Sequence, residues 1–543
     1  MADNGHHVKR RFLANMLTCP QKTMNGGKQP VSAEIDKLLA VMLMFTMLQQ
    51  MLNSFSNTVK SLITTGIYNT GLSRFFLLAL LALALTSCAQ HHRLQVQPSG
   101  PLSDCQSLFV QVDEEVKRAN VQDYGPMRIS GFPYLRVDRF SASFRESASG
   151  STQMQTWTKR LAELDAEARG LELRNLGQPV AGLDRQQLES RLDSCRAQLV
   201  DNLMQEPAQL DRLRQEAVVP DDYVTGWRAA GLYPLTSLVV LARIHTAQEE
   251  MQQIFAQPLD SLPIRGRIIR WREPPAAHPL PAPPSFHHDA LGIPQPSAQL
   301  LRQLFRSHAP IWEVDVVDDN DLIGTPVWRQ GPAVDTGRAT EYHQLSYARL
   351  GDRVLLQLNY IIWFKARPGN DIYAGQLDGL IWRVTLGPDG APVLYDSIHN
   401  CGCYLNFFPT ASLHPRQDLP RFCSEPLMIP QQAPLEPLVV RLDHGRHFIE
   451  RVYTDTSHRA SRPLATVAYD QLRSLPTATG YHNLFGRAGL IPGSERPERF
   501  ILWPMGIRSP GAMRQWGHHA IAFVGRRHFD DPWLLQSLFD WEQ

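Results

Sequence analysis

Leu380-Ile381-Trp382-Arg383-Val384-Thr385-Leu386-Gly387-Pro388-Asp389-Gly390-Ala391-Pro392-Val393-Leu394-Tyr395 is two apolar runs joined by Gly-Pro-Asp-Gly. Leu380–Leu386 and Pro392–Tyr395 have strand composition, and a turn sequence separates them, so the stretch predicts a β-hairpin. Strand signals continue on both sides. Trp312–Val316 and Leu345–Tyr347 alternate, as does Leu356–Tyr360 within the longer run Val354–Trp363. Val439–Leu442 and Phe448–Val452 flank Asp443-His444-Gly445, which predicts a second hairpin, and Ala520–Val524 predicts a late strand. With a short helix around Leu300–Phe305, residues 299–543 read as a mostly antiparallel, β-rich domain.

Upstream the periodicity changes. Residues 273–298 hold eight prolines, at 274, 275, 279, 281, 283, 284, 294 and 296. Such a density prevents regular helix or sheet and predicts an extended linker. Before it, residues 88–272 read as a helical domain. Cys105, Phe109, Val112 and Val116 form one stripe; Met154, Trp157, Leu161, Leu164, Ala168 and Leu171 form another. A Gly/Pro loop at 177–182 and a capping box from Asp184 to Gln187 open a helix carrying Leu188, Leu192, Cys195, Leu199 and Leu203, so an αα-hairpin is expected. Trp227–Phe255 reads as apolar and internal, with a buried helix starting near Tyr233. Gly131–Phe140, GFPYLRVDRF, reads as an extended piece packed over these helices. The fold class is α+β.

The chain has 54 Lys+Arg against 53 Asp+Glu, a net charge of +1. With no basic block and no zinc-finger spacing, the sequence points away from nucleic acid as a partner. Its aromatic content marks a globular protein.

One short stretch supplies an address. Arg74 precedes eleven apolar residues, Phe75–Leu85, and then Thr86, Ser87 and Cys88. Eleven helical residues reach about half of the ~30 Å hydrocarbon core, the length of a signal-peptide core rather than a span. Leu85-Thr86-Ser87-Cys88 resembles the lipobox of bacterial lipoproteins. The resemblance implies that residues 71–87 are removed, that Cys88 is acylated as the lipid anchor, and that it becomes the mature N-terminus. Ala89 and Gln90, with no Asp after the cysteine, imply retention at the cell outer membrane on its periplasmic face. Residues 1–70 fit this address badly and read as a misassigned start. GFPYLRVDRF and HNCGCYLNFFPT (residues 399–410) are also similar to bacterial envelope lipoproteins, a likeness that brings no activity with it.

An oxidising compartment governs how the cysteines read. Cys105 and Cys195 both sit on buried stripes and are expected to pair. His399-Asn400-Cys401-Gly402-Cys403 is the densest chemistry. If extended, it places His399, Cys401 and Cys403 on one face, where they are candidate ligands for a soft metal such as zinc or Cu(I). Alternatively, His399 activates a neighbouring thiol, or one cysteine, taken as Cys403, pairs with Cys423. A Cys401–Cys403 bridge is disfavoured, because one intervening residue rarely permits relaxed geometry. Asp378 and His399, on adjacent strands, form a candidate acid–base pair, with Cys403 as candidate nucleophile. His343, Gln357 and Asn359 are candidate neighbours. His444 and His447 lie at a hairpin tip expected to be solvated, and His518, His519, Arg526, Arg527 and His528 form a late basic cluster. Two functions follow. One is a periplasmic lipoprotein with a binding or structural role, held to the membrane by Cys88 and docking to an envelope protein partner. The other is an envelope hydrolase or metal-dependent enzyme using Asp378, His399, Cys401 and Cys403.

Overall fold

The computed structural model describes residues 102–274, 286–419, 424–457 and 459–541. The leader, the signal segment, Cys88 and Cys423 lie outside them, as does much of the Pro-rich stretch.

The chain is mixed α and β. Its first half gives α1 (Ser103–Arg118), β1 (Met127–Ile129), β2 (Phe132–Val137), α2 (Arg139–Ala142), α3 (Ser151–Leu176), α4 (Arg185–Leu203), α5 (Pro207–Glu216), α6 (Thr225–Ala230), α7 (Tyr233–Ala256) and β3 (Arg267–Arg272). Then come α8 (Ala298–Ser307), β4 (Ile311–Val316), β5 (Thr325–Trp328), β6 (Pro332–Asp335), β7 (Thr340–Leu350), β8 (Arg353–Arg367), β9 (Gly375–Leu386), β10 (Pro392–His399), β11 (Asn406–Pro409) and β12 (Leu413–Pro415). The last are β13 (Leu438–Leu442), β14 (Ile449–Thr454), β15 (Arg462–Pro463), β16 (Ala465–Ala468), β17 (Leu475–Thr477), β18 (Gly480–His482), α9 (Arg499–Leu502), α10 (Leu534–Leu538) and β19 (Phe539–Trp541).

The predicted hairpin around Gly387–Gly390 is β9–β10, at the centre of a six-stranded sheet ordered β11-β10-β9-β8-β7-β16. All pairs in it are antiparallel except β16–β7. A second sheet, β14-β13-β4-β3-β15, contains the other predicted hairpin, β13–β14, and parallel pairings of β13 with β4 and β15 with β3. β3 lies within 88–272 yet pairs with β4, so the sheet crosses the expected boundary between the two halves. All described residues belong to one compact unit.

Period-two geometry sends alternate β8 residues to opposite faces. Leu356, Leu358, Tyr360 and Ile362 meet Trp312, Val314, Val440 and Leu442 of the second sheet. Leu355, Ile361 and Trp363 face a core closed by C-terminal segments carrying Leu484, Met513 and Phe529. Covered on both sides, β8 is buried almost throughout, which makes Gln357 and Asn359 interior rather than surface polar groups. Gln357 bonds Ser346 and Thr385, and the Asn359 amide nitrogen donates to Ser346 and the Gln344 carbonyl. On the same face Arg383 makes a buried two-bond pair with Asp396 and lies over the Phe529 ring.

The helical stripes fold as their spacing predicts. Cys105, Phe109, Val112 and Val116 are buried against α4, and Cys105 is disulfide-bonded to Cys195. Asp184 and Gln187 close the capping box. GFPYLRVDRF supplies β2, where Arg136 is fully buried and pairs with Asp165 and Glu172 of α3. Three expectations are corrected. Ala520–Val524 is a loop with one bridge, Ala520 to His528, because Ile521 bonds back to Arg527 instead of to a neighbouring strand. The described end of the Pro-rich stretch folds into a turn held by Asp289, with Ile293 buried in the helical core. Helix α7 is no buried helix: only Ser237, Leu241 and Phe255 are buried, while Leu232 at its N-cap, Leu238 and Val239 are exposed.

Candidate functional site

The structure brings Asp378 and His399 together at the ends of β9 and β10. Asp378 is fully buried, opposite Phe364 of β8, and its Oδ1 lies 3.5 Å from His399 Nδ1, longer than a good hydrogen bond. Gly379 makes the arrangement possible. A Cβ there would lie 2.2 Å from the Asn400 side chain and 2.4 Å from the Ile362 carbonyl, which Asn400 bridges.

The closer partner of Asp378 is His447, whose Nδ1 donates to it at 2.8 Å. His447 Nε2 is 3.4 Å from Asp321, and its ring stacks on Phe364 at 3.9 Å. The expected solvated hairpin tip is therefore half wrong. His444 stays partly open, but the β13–β14 turn folds back onto the sheet because Asp321 accepts from Gly445 N and Asp443 accepts from Phe448 N. Burial alone would lower the His447 pKa, but hydrogen bonds to Asp321 and Asp378 outweigh it and raise it to about 9. Burial likewise opposes ionisation of Asp378, yet Arg496 and the two imidazoles hold it well below the usual carboxylate range. Burial lowers His399 against the pull of Asp378, leaving it the neutral imidazole of the pair.

The His399/Cys401/Cys403 metal face does not form. β10 ends at His399, and the chain turns: Gly402 N donates to the His399 carbonyl and His399 N to the Cys403 carbonyl. An extended segment was the premise of the shared face, and the turn removes it. Among the described residues no three His, Cys, Asp or Glu side chains converge so as to hold a metal ion. Cys401 and Cys403 are free thiols, one buried and one partly exposed. The expected partner Cys423 lies outside the described residues.

Several residues at this site carried no sequence signal. Arg496 donates to Asp378 and to the Leu377 carbonyl. Arg367 donates to the Tyr404 hydroxyl and lies near the rings of Tyr373 and Phe448. Glu498 is buried, and burial raises its pKa to about 7 against the pull of Arg496, Arg367 and Arg514. Gly511 leaves it room: at φ +80°, a Cβ there would fall 1.9 Å from Glu498 Oε1. Left-handed backbone at Leu377 (φ 60°), Tyr404 (φ 60°) and His447 (φ 57°) adds strain around the same groups. Each such residue costs of order 1–3 kcal/mol, and such residues cluster at functional sites. The sequence shows none of this, because these residues come from four separate segments.

Other candidates resolve into structural roles. His343 bonds Glu341 and stacks on Phe305. The late basic cluster is no anion site, because acids from the helical half neutralise it. His518 and His528 meet Asp222, and Arg526 meets Asp221. His519 is buried, which lowers its pKa to about 3.

A second feature lies on the surface. Leu238 and Val239 of α7, with Leu232 at its N-cap, are exposed, Val239 to 73%. α6, α7 and α9 all pack on the turn Trp503–Met505, and Gly231 has no room for a Cβ against Pro504. Phe500 (70% exposed), Ile501, Trp503 and Trp227 are exposed on these packed elements. Arg499 lies over Phe500, and Arg508 over Trp227. Among the described residues no helix is long and apolar enough to cross a membrane.

No protein family, curated protein or solved structure matches this chain.

Proposed function

We propose that this chain is an outer-membrane lipoprotein, anchored on the periplasmic face through an acylated Cys88, and that it also docks onto the lipid surface that holds the anchor. The observation that carries the docking is the exposed apolar face of α6, α7 and α9. Large exposed apolar patches on a folded protein mark interaction sites. Here aromatic and aliphatic side chains are interleaved with Arg499 and Arg508, a composition that suits an anionic membrane interface, apolar groups entering the acyl boundary and guanidinium groups meeting headgroups. The lipid tether supplies the first signal and the face a second. A binding role in the envelope follows.

Labelling with a palmitate analogue tests the anchor: it is lost in Cys88→Ala, and unchanged labelling refutes the anchor. The face is tested separately. In vesicles containing brominated phosphatidylglycerol, part of the tryptophan fluorescence of the reconstituted lipoprotein is quenched, and the Trp227→Phe/Trp503→Phe variant loses that part. Equal quenching in both proteins, or none, refutes the docking.

One observation favours a second reading, an envelope hydrolase at the Asp378 site. Glu498 titrates near 7 while Asp378 stays ionised and His399 neutral, and carboxyl groups driven apart in this way are the pattern of acid–base pairs. In that reading the full-length protein hydrolyses p-nitrophenyl esters and Glu498→Gln abolishes the activity; no hydrolysis by the unmodified protein removes it.

A further inference from the structure

Neither reading uses the charge of Arg367. This residue ends β8 and is only 5% exposed, and charged side chains are seldom buried so far without a partner. The other buried arginines obey that rule. Arg136, Arg169, Arg196, Arg270, Arg383, Arg441, Arg473 and Arg496 pair with carboxylates. Arg228 and Arg514 donate to backbone carbonyls instead. Arg367 has neither. Its Nη1 donates to the Tyr404 hydroxyl at 3.3 Å, and among the described residues its Nε and Nη2 meet no acceptor and no carboxylate stands within ion-pair distance. Asp378 pulls on it from farther off but is already held by Arg496 and His447. Arg446, nearby over the Phe448 ring, is taken by Asp443.

The surroundings are aromatic. The guanidinium carbon lies 5.2 Å from the Tyr373 ring centre and 5.4 Å from that of Phe448. The rings of Tyr404 and Phe448 are 4.3 Å apart, and that of His399 is 4.9 Å from Tyr404. Tyr373, Tyr404 and Phe448 are each partly exposed, so the guanidinium is walled without being sealed. Glu498 N donates to the Ile372 carbonyl at 3.0 Å, which fixes the loop carrying Tyr373. We propose that Arg367 binds the carboxylate of an aromatic acid, its Nε–Nη2 edge meeting both oxygens while the acid's ring packs against Tyr373, Tyr404 and Phe448. A guanidinium laid against rings keeps its N–H edge free, and that edge matches a carboxylate with two parallel bonds. One guanidinium without a counter-ion calls for one negative charge. A phosphate dianion would bring a second one toward Asp378, so a monoanion fits better. Binding involves no turnover, so this site stands or falls apart from the hydrolase reading.

The test is fluorine NMR of 4-fluorobenzoate with the full-length protein in detergent, against detergent alone. The expected result is a line broadened by the protein and restored by unlabelled benzoate, whereas the line of neutral 4-fluorobenzamide stays sharp. Arg367→Met weakens binding about tenfold or more, the loss of one charge-assisted contact. Arg367→Lys keeps the charge without the fork and binds between the two. A sharp 4-fluorobenzoate line with the unmodified protein overturns the proposal, as does equal broadening of the amide or undiminished broadening in Arg367→Met. Should Arg367→Met fail to fold, Arg367→Lys decides: binding equal to that of the unmodified protein refutes the two-bond contact.

Discussion

His447 holds a charge in the interior, and that charge sets a testable pH dependence of stability. The imidazolium is fully buried between Asp378 and Asp321, and its pKa stands at about 9 against an ordinary 6.5. A group raised on folding stabilises the native state fully below its unfolded pKa, and that stabilisation is lost as pH rises through the folded value. The window is therefore pH 6.5 to 9. At about 1.4 kcal/mol per tenfold change in proton affinity, the rise is worth roughly 3 kcal/mol. His447→Gln keeps a donor toward Asp378 and removes the proton. Urea unfolding of the unmodified protein and of His447→Gln at pH 6 and pH 9.5 isolates the effect, because the other titrating groups are common to both. The unmodified protein should lose about 3 kcal/mol more than the variant across that interval. Equal losses would show that His447 is neutral in the folded state and that the Asp378–His447–Asp321 bridge is wrongly understood.

Two further outcomes follow from buried groups. Cys105 and Cys195 close a loop with a sequence separation of 90, so Cys105→Ser/Cys195→Ser should lower stability by about 4.6 kcal/mol in the chain-entropy account, read by urea midpoint under oxidising conditions. Arg383→Met strands Asp396 in the sheet interior and should cost roughly 3–5 kcal/mol, whereas Arg383→Met/Asp396→Leu should recover much of it; an equal loss in both would place the cost in packing rather than charge.

Local pattern carried the elements, and particular residues show how far. The β9–β10 hairpin, the α1, α3 and α4 stripes, the Asp184 cap and the Cys105–Cys195 bridge depend on residues near in sequence or on periodic burial, and all of these were legible. Asp378 with His399 was legible for the same reason, since both lie on neighbouring strands of one hairpin. The failures share a cause. α7 reads as buried because composition reports apolarity, not what covers it. His447 reads as solvated because nothing local shows a hairpin tip folding onto Asp321. The late basic cluster reads as an unpaired run of positive charge because its counter-charges, Asp221 and Asp222, lie some three hundred residues earlier.

By itself the sequence determined most of the alternation of helices and strands and the Cys105–Cys195 disulfide, since period, turn chemistry and composition act over a few residues. Only the tertiary structure decided which charges face one another and which apolar residues stay uncovered. It turned the chain at Gly402, so that the expected His399/Cys401/Cys403 metal face does not form. It also joined Arg496 and His447 to Asp378. Those outcomes depend on burial and on contacts between distant segments, and no local pattern encodes what a side chain will meet across a sheet.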